Sequence, residues 1–369
     1  MITKLIFYNN HNNGDIHFTR EFVRDIIKKT NYDEYYFLHK RSPKLLMDIP
    51  NLKHGILNEY CKVDSPYHVI NNETYVNTHL GVYQIFVDKV INVDLPIFYD
   101  YFQVIFNKLR IPMENKKSYL PVIDYNVFEI NGIKEYLDKN RNAIKVIVCN
   151  GSVHSNQSLI VDFKDLVEKL SNEFPHIHFL LTDKKDVIEK DNVLYTSDII
   201  KAGSDLNEIS YLSTFCGAII GRASGPYSFT EVKENLNDVD KTFIFICNNF
   251  TDGAWYDQTL SSKVWINNYD ANNIHQTINR ELKKLNNYSN LIDVISKDDN
   301  VIITPLEDIQ PKIRTDFYRD KDLWYQYSGT YTNKVFHWVK PHGHYHTGME
   351  IKCKFYNDET NDYLFQKII

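Results

Sequence analysis

Apolar residues come in short blocks along this chain, and the spacing within the blocks changes in a regular order. Leu5–Tyr8 is a continuous apolar run of strand length. A polar stretch, Asn9–Gly14, follows. Phe18, Phe22, Ile26 and Ile27 then recur at helical spacing, which predicts a helix running to about Thr30. Tyr35–Leu38 predicts the next strand. Strand, loop, helix and strand in that order open a Rossmann-like unit. Residues 40–95 show no clear period, and Tyr75–Gly81 fits a strand or a loop equally. Pro96–Arg110 predicts a helix stopped ahead of Pro112.

A second cycle starts after a polar stretch near Asn131–Asn142. Ala143–Cys149 is almost wholly apolar, as a strand covered on both faces must be. After the loop Asn150–Gln157, the spacing of Ile160, Phe163, Val167 and Leu170 predicts a helix over Leu159–Phe174. Strands are expected at Ile177–Leu181, Gly217–Ile220, Thr242–Cys247 and Lys263–Ile266, with helices at Leu206–Phe215, from Tyr227, and at Ile274–Leu285. The alternation stops in the last part, which turns rich in Tyr, Phe, Trp and His from about Pro311. The expected fold is therefore α/β, with two Rossmann-like doubly wound domains facing a cleft. They span residues 1–135 and 143–300, and a small strand-rich extension covers 301–369.

Composition narrows the function classes. The chain has 369 residues, of which 43% are apolar and 24% charged, ordinary values for a folded protein with a normal core. Its formal net charge is −6, with no basic block, which argues against nucleic acid as a partner. Cys61, Cys149, Cys216, Cys247 and Cys353 are an odd number, scattered, with no CxxC pair. They read as thiols of a reducing compartment, so a cytoplasmic location is expected. The start MITKLIFYNN is too short an apolar run for a secretory signal, and no run spans a bilayer, leaving at most peripheral membrane contact.

Five constellations are candidates for chemistry. The first is the loop at the carboxyl end of the first strand, with Gly14, Asp15 and His17. Gly14 permits close backbone approach. Asp15 suits a helix cap or a general base, and His17 is the reserve base. The second is Asn150, Gly151 and Ser152, small polar groups leading into a helix, where phosphate oxygens are well met. The third is Gly221–Ser228, in which Arg222, Ser224, Gly225 and Pro226 form a strand-to-helix turn with a cation beside it, an anion site that requires no metal. Glu231, further on, is a candidate for ribose hydroxyls. The fourth pairs Asp198 with Glu208, where a nucleobase has main-chain groups to lie against. The fifth is His337 with His342, His344 and His346; the alternate spacing of the last three would put them on one side if extended and serve Zn²⁺, although no Cys or carboxylate stands at familiar metal spacing. No metal site and no resident cofactor are expected. Each of these segments also has a plain structural reading as a cap, a turn or a solvated face.

The layout resembles that of the GT-B glycosyltransferases. The stretch Gly14-Asp15-Ile16-His17-Phe18-Thr19 is similar to the early Gly-Asp motif of the heptosyltransferase family. Ala218–Gly221 with Ser224-Gly225-Pro226 resembles that family's donor-phosphate loop. The sequence departs there: Ala223 stands where the family has an acidic residue before the Ser, and Ser228 where it has a His. The resemblance covers about residues 1–285. It implies a glycosyltransferase that uses a nucleotide-sugar donor and a glycan or other hydroxyl acceptor, with inversion, no metal, and Asp15 as base. Two other functions fit the same layout: a nucleotide-sugar epimerase, and a non-catalytic protein that binds carbohydrate or nucleotide sugar.

Overall fold

The apolar runs become two mainly parallel sheets in a computed structural model. It describes residues 2–61, 65–79, 95–141, 143–151, 161–185, 187–201, 205–222, 224–247, 259–267 and 270–285, and beyond these the strands of the C-terminal region.

The first sheet begins with β1 (Lys4–Tyr8), which leads into α1 (Asn13–Phe18) and α2 (Arg20–Lys29). The sheet then takes in β2 (Glu34–Leu38), β3 (Leu52–Gly55), β4 (Tyr67–Ile70) and β5 (Glu73–Asn77). Its strand order is β3-β2-β1-β5-β4, with β4 antiparallel to β5 and the other pairs parallel. Residues alternate between its faces. Leu5 and Phe7 join the main core with Tyr35, Phe37 and Val76, while Ile6 and Tyr8 pack on the other face with Leu38 and Tyr75. Burial on both faces explains why β1 reads as an unbroken apolar run. The helix after β1 differs from expectation: it begins within the polar stretch, at Asn13, and is interrupted at Thr19, the residue shared by the end of α1 and the start of α2. α3 (Leu95–Leu109) ends at Arg110, whose φ of 57° turns the chain ahead of Pro112. A further helix, α4 (Asn131–Lys139), occupies the stretch read as merely polar, with Ile133 buried and Tyr136 and Leu137 packed against the core.

The second sheet runs from β6 (Ile144–Cys149) through α5 (Phe163–Glu173), β7 (Ile177–Leu181), β8 (Val193–Tyr195), α6 (Thr196–Ile199) and α7 (Leu206–Ser213). It continues with β9 (Ala218–Gly221), α8 (Gly225–Thr230), α9 (Lys233–Leu236), β10 (Thr242–Ile246), β11 (Ser262–Ile266) and α10 (Ala271–Leu282). The order is β11-β10-β9-β6-β7-β8. Every residue of β6 is buried. Asp198 lies in the first turn of α6.

Both sheets lie in one compact unit, residues 1–137 with 145–279. A second unit, residues 138–144 with 280–369, carries two antiparallel sheets. One contains β12 (Ile292–Lys297), β13 (Asn300–Pro305) and β16 (Phe336–Val339). The other contains β14 (Ile313–Arg319), β15 (Asp322–Gly329), β17 (Ile351–Asn357) and β18 (Tyr363–Ile368). His342, His344 and His346 lie outside the described residues. Among the described residues no helix is long and apolar enough to cross a membrane.

In the first unit a buried polar network ties the two sheets together. Arg20, fully buried, donates to Asp48, to the Leu45 carbonyl (2.6 Å) and to Asn207 Oδ1 (3.1 Å). Asn207 in turn donates to the Lys44 carbonyl (3.0 Å). Arg24 adds a second contact to Asp48 (2.9 Å). Tyr125 and Ser210 meet at 3.0 Å, and the Lys233 amide donates to the Pro121 carbonyl (2.8 Å). A buried charge left without partners costs several kcal/mol, so this arrangement is maintained only as a complete set.

Candidate functional site

In open α/β sheets the chain reverses its direction of travel at a switch point, and the loops there part to leave a crevice at the carboxyl ends of the strands. The first sheet reverses between β1 and β5, the second between β6 and β9. The polar loops selected by sequence sit on these two points.

At the first switch point, β1 and β5 run parallel with Tyr8 opposite Asn77, so the residues after them emerge side by side. The Thr78 amide donates to the Tyr8 carbonyl (2.9 Å), and Asn9 Nδ2 donates to Thr78 Oγ1 (3.1 Å). Each loop then makes the same turn. Asn9 Oδ1 accepts from the His11 amide (2.9 Å), and Asn77 Oδ1 accepts from the His79 amide (3.0 Å). Asn side chains favour this bond to the amide two residues on. The result is a pair of stacked imidazoles, His11 on His79, with centroids 3.3 Å apart and planes 11° from parallel. Arg41, from the loop after β2, donates to the His11 carbonyl (3.1 Å) and to Asn12 Oδ1 (2.9 Å).

Asp15 stands at the third position of α1, half-buried, and its Oδ2 accepts from the Asn12 amide at 3.2 Å. It does close the first turn, as its capping reading anticipated. Burial pushes its carboxyl above the ordinary range, against the opposing pull of the His11 charge, the Asn12 amide and Arg41. A raised carboxyl is a stronger base once ionised. His17 is placed differently. It is fully buried, its Nε2 lies 3.4 Å from the Glu231 carbonyl, and its ring packs on Phe229 with centroids 4.3 Å apart. Burial holds it well below the usual histidine range. This corrects the reserve assignment: a ring with no exposed surface meets no acceptor hydroxyl.

The second switch point collects Asn150, Gly151, Arg222, Ser224, Gly225 and Pro226. Asn150 spends its side chain on the β7 loop, donating to the Asp183 carbonyl (2.8 Å) and accepting from the Asp183 amide (2.8 Å). Arg222 is almost fully buried. It donates to the Gly151 carbonyl (2.7 Å) and lies over the Phe163 ring at 5.2 Å. One guanidinium thus joins both loops. Ser224 is the N-cap of α8, its Oγ accepting from the Tyr227 amide at 3.4 Å, with Pro226 in the first turn. Ser152 and Ala223 lie outside the described residues.

Three further sequence candidates fall away from this cluster. Asp198 is exposed, paired with Lys184 at 2.8 Å, and follows β8 at the sheet edge, two strands from β6. Glu231 ends α8 instead of lying on a solvated face. It is buried beside Tyr227 and Cys149, and burial pushes its carboxyl well above the ordinary range. A ribose would need surface that this carboxyl does not present. Glu208 is likewise buried, with Oε2 unpartnered, and burial raises its carboxyl. Among the described residues no group of three His, Cys, Asp or Glu is arranged to hold a metal ion.

The two switch points meet. α1 packs directly on α8: Gly225 lies beside Asn13, at 3.6 Å from where its Cβ would be, and Gly14 lies against Ser228. Sequence reading selected the two loops separately, but nothing in either predicts their contact. It also passed over His11 and Arg41. Asn at position i before the amide at i+2, in both loops, is the signal that marks the histidine pair.

No protein-family model and no curated protein matches the chain. Solved structures similar to it include a family 9 glycosyl transferase from Veillonella parvula, with a TM-score of 0.46 and 10% identity over 75% of this chain and 89% of that one. Another is the E. coli heptosyltransferase WaaC with ADP, with a TM-score of 0.46 and 7% identity over 76% of this chain and 100% of that one. A third is S. aureus MnaA in a co-structure with UDP, with a TM-score of 0.43 and 9% identity over 76% of this chain and 88% of that one.

Proposed function

We propose that this chain is a glycosyltransferase, moving a sugar from a nucleotide-sugar donor to a hydroxyl of a glycan or related acceptor. The observation that carries this reading is the meeting of two switch points in one unit, with Asn13 and Gly14 of α1 against Gly225 and Ser228 of α8. A carboxylate suited to accept a proton and a turn suited to bind an anion thereby adjoin. Transfer from a diphosphate donor needs both groups in one place.

In this scheme the acceptor oxygen attacks the anomeric carbon while Asp15 takes its proton. The bond from that carbon to the diphosphate breaks, and the electron pair leaves with the diphosphate. Arg222 and the amides at the start of α8 meet the charge that develops there, a task for fixed donors in a site of low polarity. Gly14 and Gly225 let α1 and α8 pack closely enough to bring the two turns together, and Gly151 shares Arg222 with that turn. Displacement from the opposite side inverts the anomeric centre. Charge stabilisation is assigned to protein groups, not to a metal ion.

The test is incubation of the whole chain with a panel of nucleotide sugars and glycan acceptors, reading release of nucleoside diphosphate. Release that requires the acceptor supports transfer. Interconversion of the donor sugar without acceptor would make the protein an epimerase instead, and binding with neither reaction would make it a carrier.

A further inference from the structure

The stacked histidines at the β1/β5 switch point are not used by the scheme above, yet the fold goes to some length to build them. Two matched Asn turns hold their backbones, with the His11 amide on Asn9 and the His79 amide on Asn77. Asn77 is itself buried, and Tyr101 donates to its carbonyl. Arg41 holds the His11 carbonyl from the β2 side. The rings are then almost parallel at 3.3 Å. Two imidazoles in such contact cannot both carry charge without strong repulsion. His79 Nδ1 is buried without a partner. Burial and the neighbouring His11 hold it down at about 3, so it stays neutral. The pair therefore accepts at most one charge, and a charge on His11 acts on Asp15.

We propose that His11 and His79 work as one unit, a stacked pair in which the neutral His79 is the platform that positions His11 and thereby sets a single positive charge beside the Asp15 carboxylate. This rests on the reading of Asp15 as the base. His79 and His11 are positioning residues in this scheme, since neither is required to touch the acceptor. Among the described residues, the charged groups acting on Asp15 are His11 and Arg41. The facing helix α8 offers uncharged Gly225 and Ser228 to α1. A positive charge beside a carboxylate favours its ionised form, so loss of the His11 charge must move the Asp15 titration upward.

The test follows the Asp15 carboxyl by ¹³C NMR in the full chain, together with the pH profile of kcat/KM. His11→Gln removes the charge, His79→Ala removes the platform, and His79→Phe keeps an aromatic platform without a titrating nitrogen. The expected result is an upward shift of the Asp15 midpoint by about half a pH unit or more in His11→Gln and in His79→Ala, with His79→Phe close to the parent. The acid limb of kcat/KM should move by the same amount in the same variants, while the KM for the donor holds. An Asp15 midpoint unmoved by His11→Gln overturns the proposal, as does His79→Phe behaving like His79→Ala. The carboxyl titration decides on the pair even if Asp15→Asn keeps parental turnover, the result that overturns the base assignment instead.

Discussion

Gly14 and Ser228 touch across the two sheets: a methyl group placed on the Gly14 Cα would come within 2.7 Å of Ser228 Oγ and 3.1 Å of its Cβ. The space for a side chain at position 14 is already taken by the opposite helix. Gly14→Ala should therefore destabilise the protein by about 1–3 kcal/mol, the usual cost of overpacking. Ser228→Gly in the same chain should recover most of that loss, and Ser228→Ala less, because its Cβ still crowds the methyl. Melting of the two single variants and the double variant gives the coupling. Simple additivity would mean the helices do not pack as described.

Asp15→Asn separates base from cap. Asn at this position still accepts from the Asn12 amide, so the melting temperature should hold. If the carboxylate takes the acceptor proton, kcat should fall by about two to four orders of magnitude. Donor affinity should stay within about twofold, because the donor is assigned to the other switch point. Parental turnover would leave Asp15 as no more than a helix-closing residue.

Arg222→Ala should weaken nucleotide-sugar binding by about tenfold or more, the loss of a charge-assisted contact. It should also lower the melting temperature, since the bond to the Gly151 carbonyl and the packing on Phe163 go with it. Ser224→Ala should cost about 1 kcal/mol of stability through the lost cap, with a smaller effect on donor binding. Activity should survive chelator treatment. Donor titrations by calorimetry check the first two, and strict dependence on added Mg²⁺ or Mn²⁺ would move the diphosphate charge onto a metal.

Acid should weaken the fold earlier than carboxylate titration alone accounts for. His17, His39 and His79 are all held below the ordinary histidine value, His39 at about 4 and His79 at about 3, mainly by burial. A base whose folded value is depressed gives stability that is complete above its unfolded value, near 6.5, and is lost as pH falls towards the folded value. The raised carboxyls of Asp15 and Glu231 act with the opposite sign. The parent should lose melting temperature from about pH 6.5 downward, and His17→Phe should lose it less steeply. Parallel curves for the two proteins would mean that His17 charges freely in the folded state.

Much of this architecture was legible because β/α cycling writes itself into local spacing. β1, β6 and β10 read as apolar runs because both faces of their sheets are covered. α2 reads clearly because Phe22 and Ile26 mark one buried face. Segments that obey a weaker rule were missed. α4 buries little more than Ile133, so its polar faces dominate the pattern. The short strands β3 and β4 are partly exposed and carry no clean alternation. The site was legible as separate loops, since Gly, Ser, Asn and Asp after a strand are local signals. Its assembly was not. His11 meets His79 because β1 and β5 are neighbours, and Gly14 meets Ser228 because two sheets share a core. Glu231 looked like a surface carboxylate for the same reason, since its burial depends on strands distant in the chain.

The Arg20 guanidinium has a consequence for how this chain can be divided. Its donors are spent partly on Asp48 and Leu45 of the first sheet's own region and partly on Asn207, from a helix of the second. Severed after α4, the amino-terminal fragment would keep the cation but lose the Asn207 oxygen that accepts from it, and α1 would lose the helix it rests on. Neither half is then a module that could be recombined freely with another partner. The two sheets share one core, and a change on one side of their seam calls for a matching change on the other.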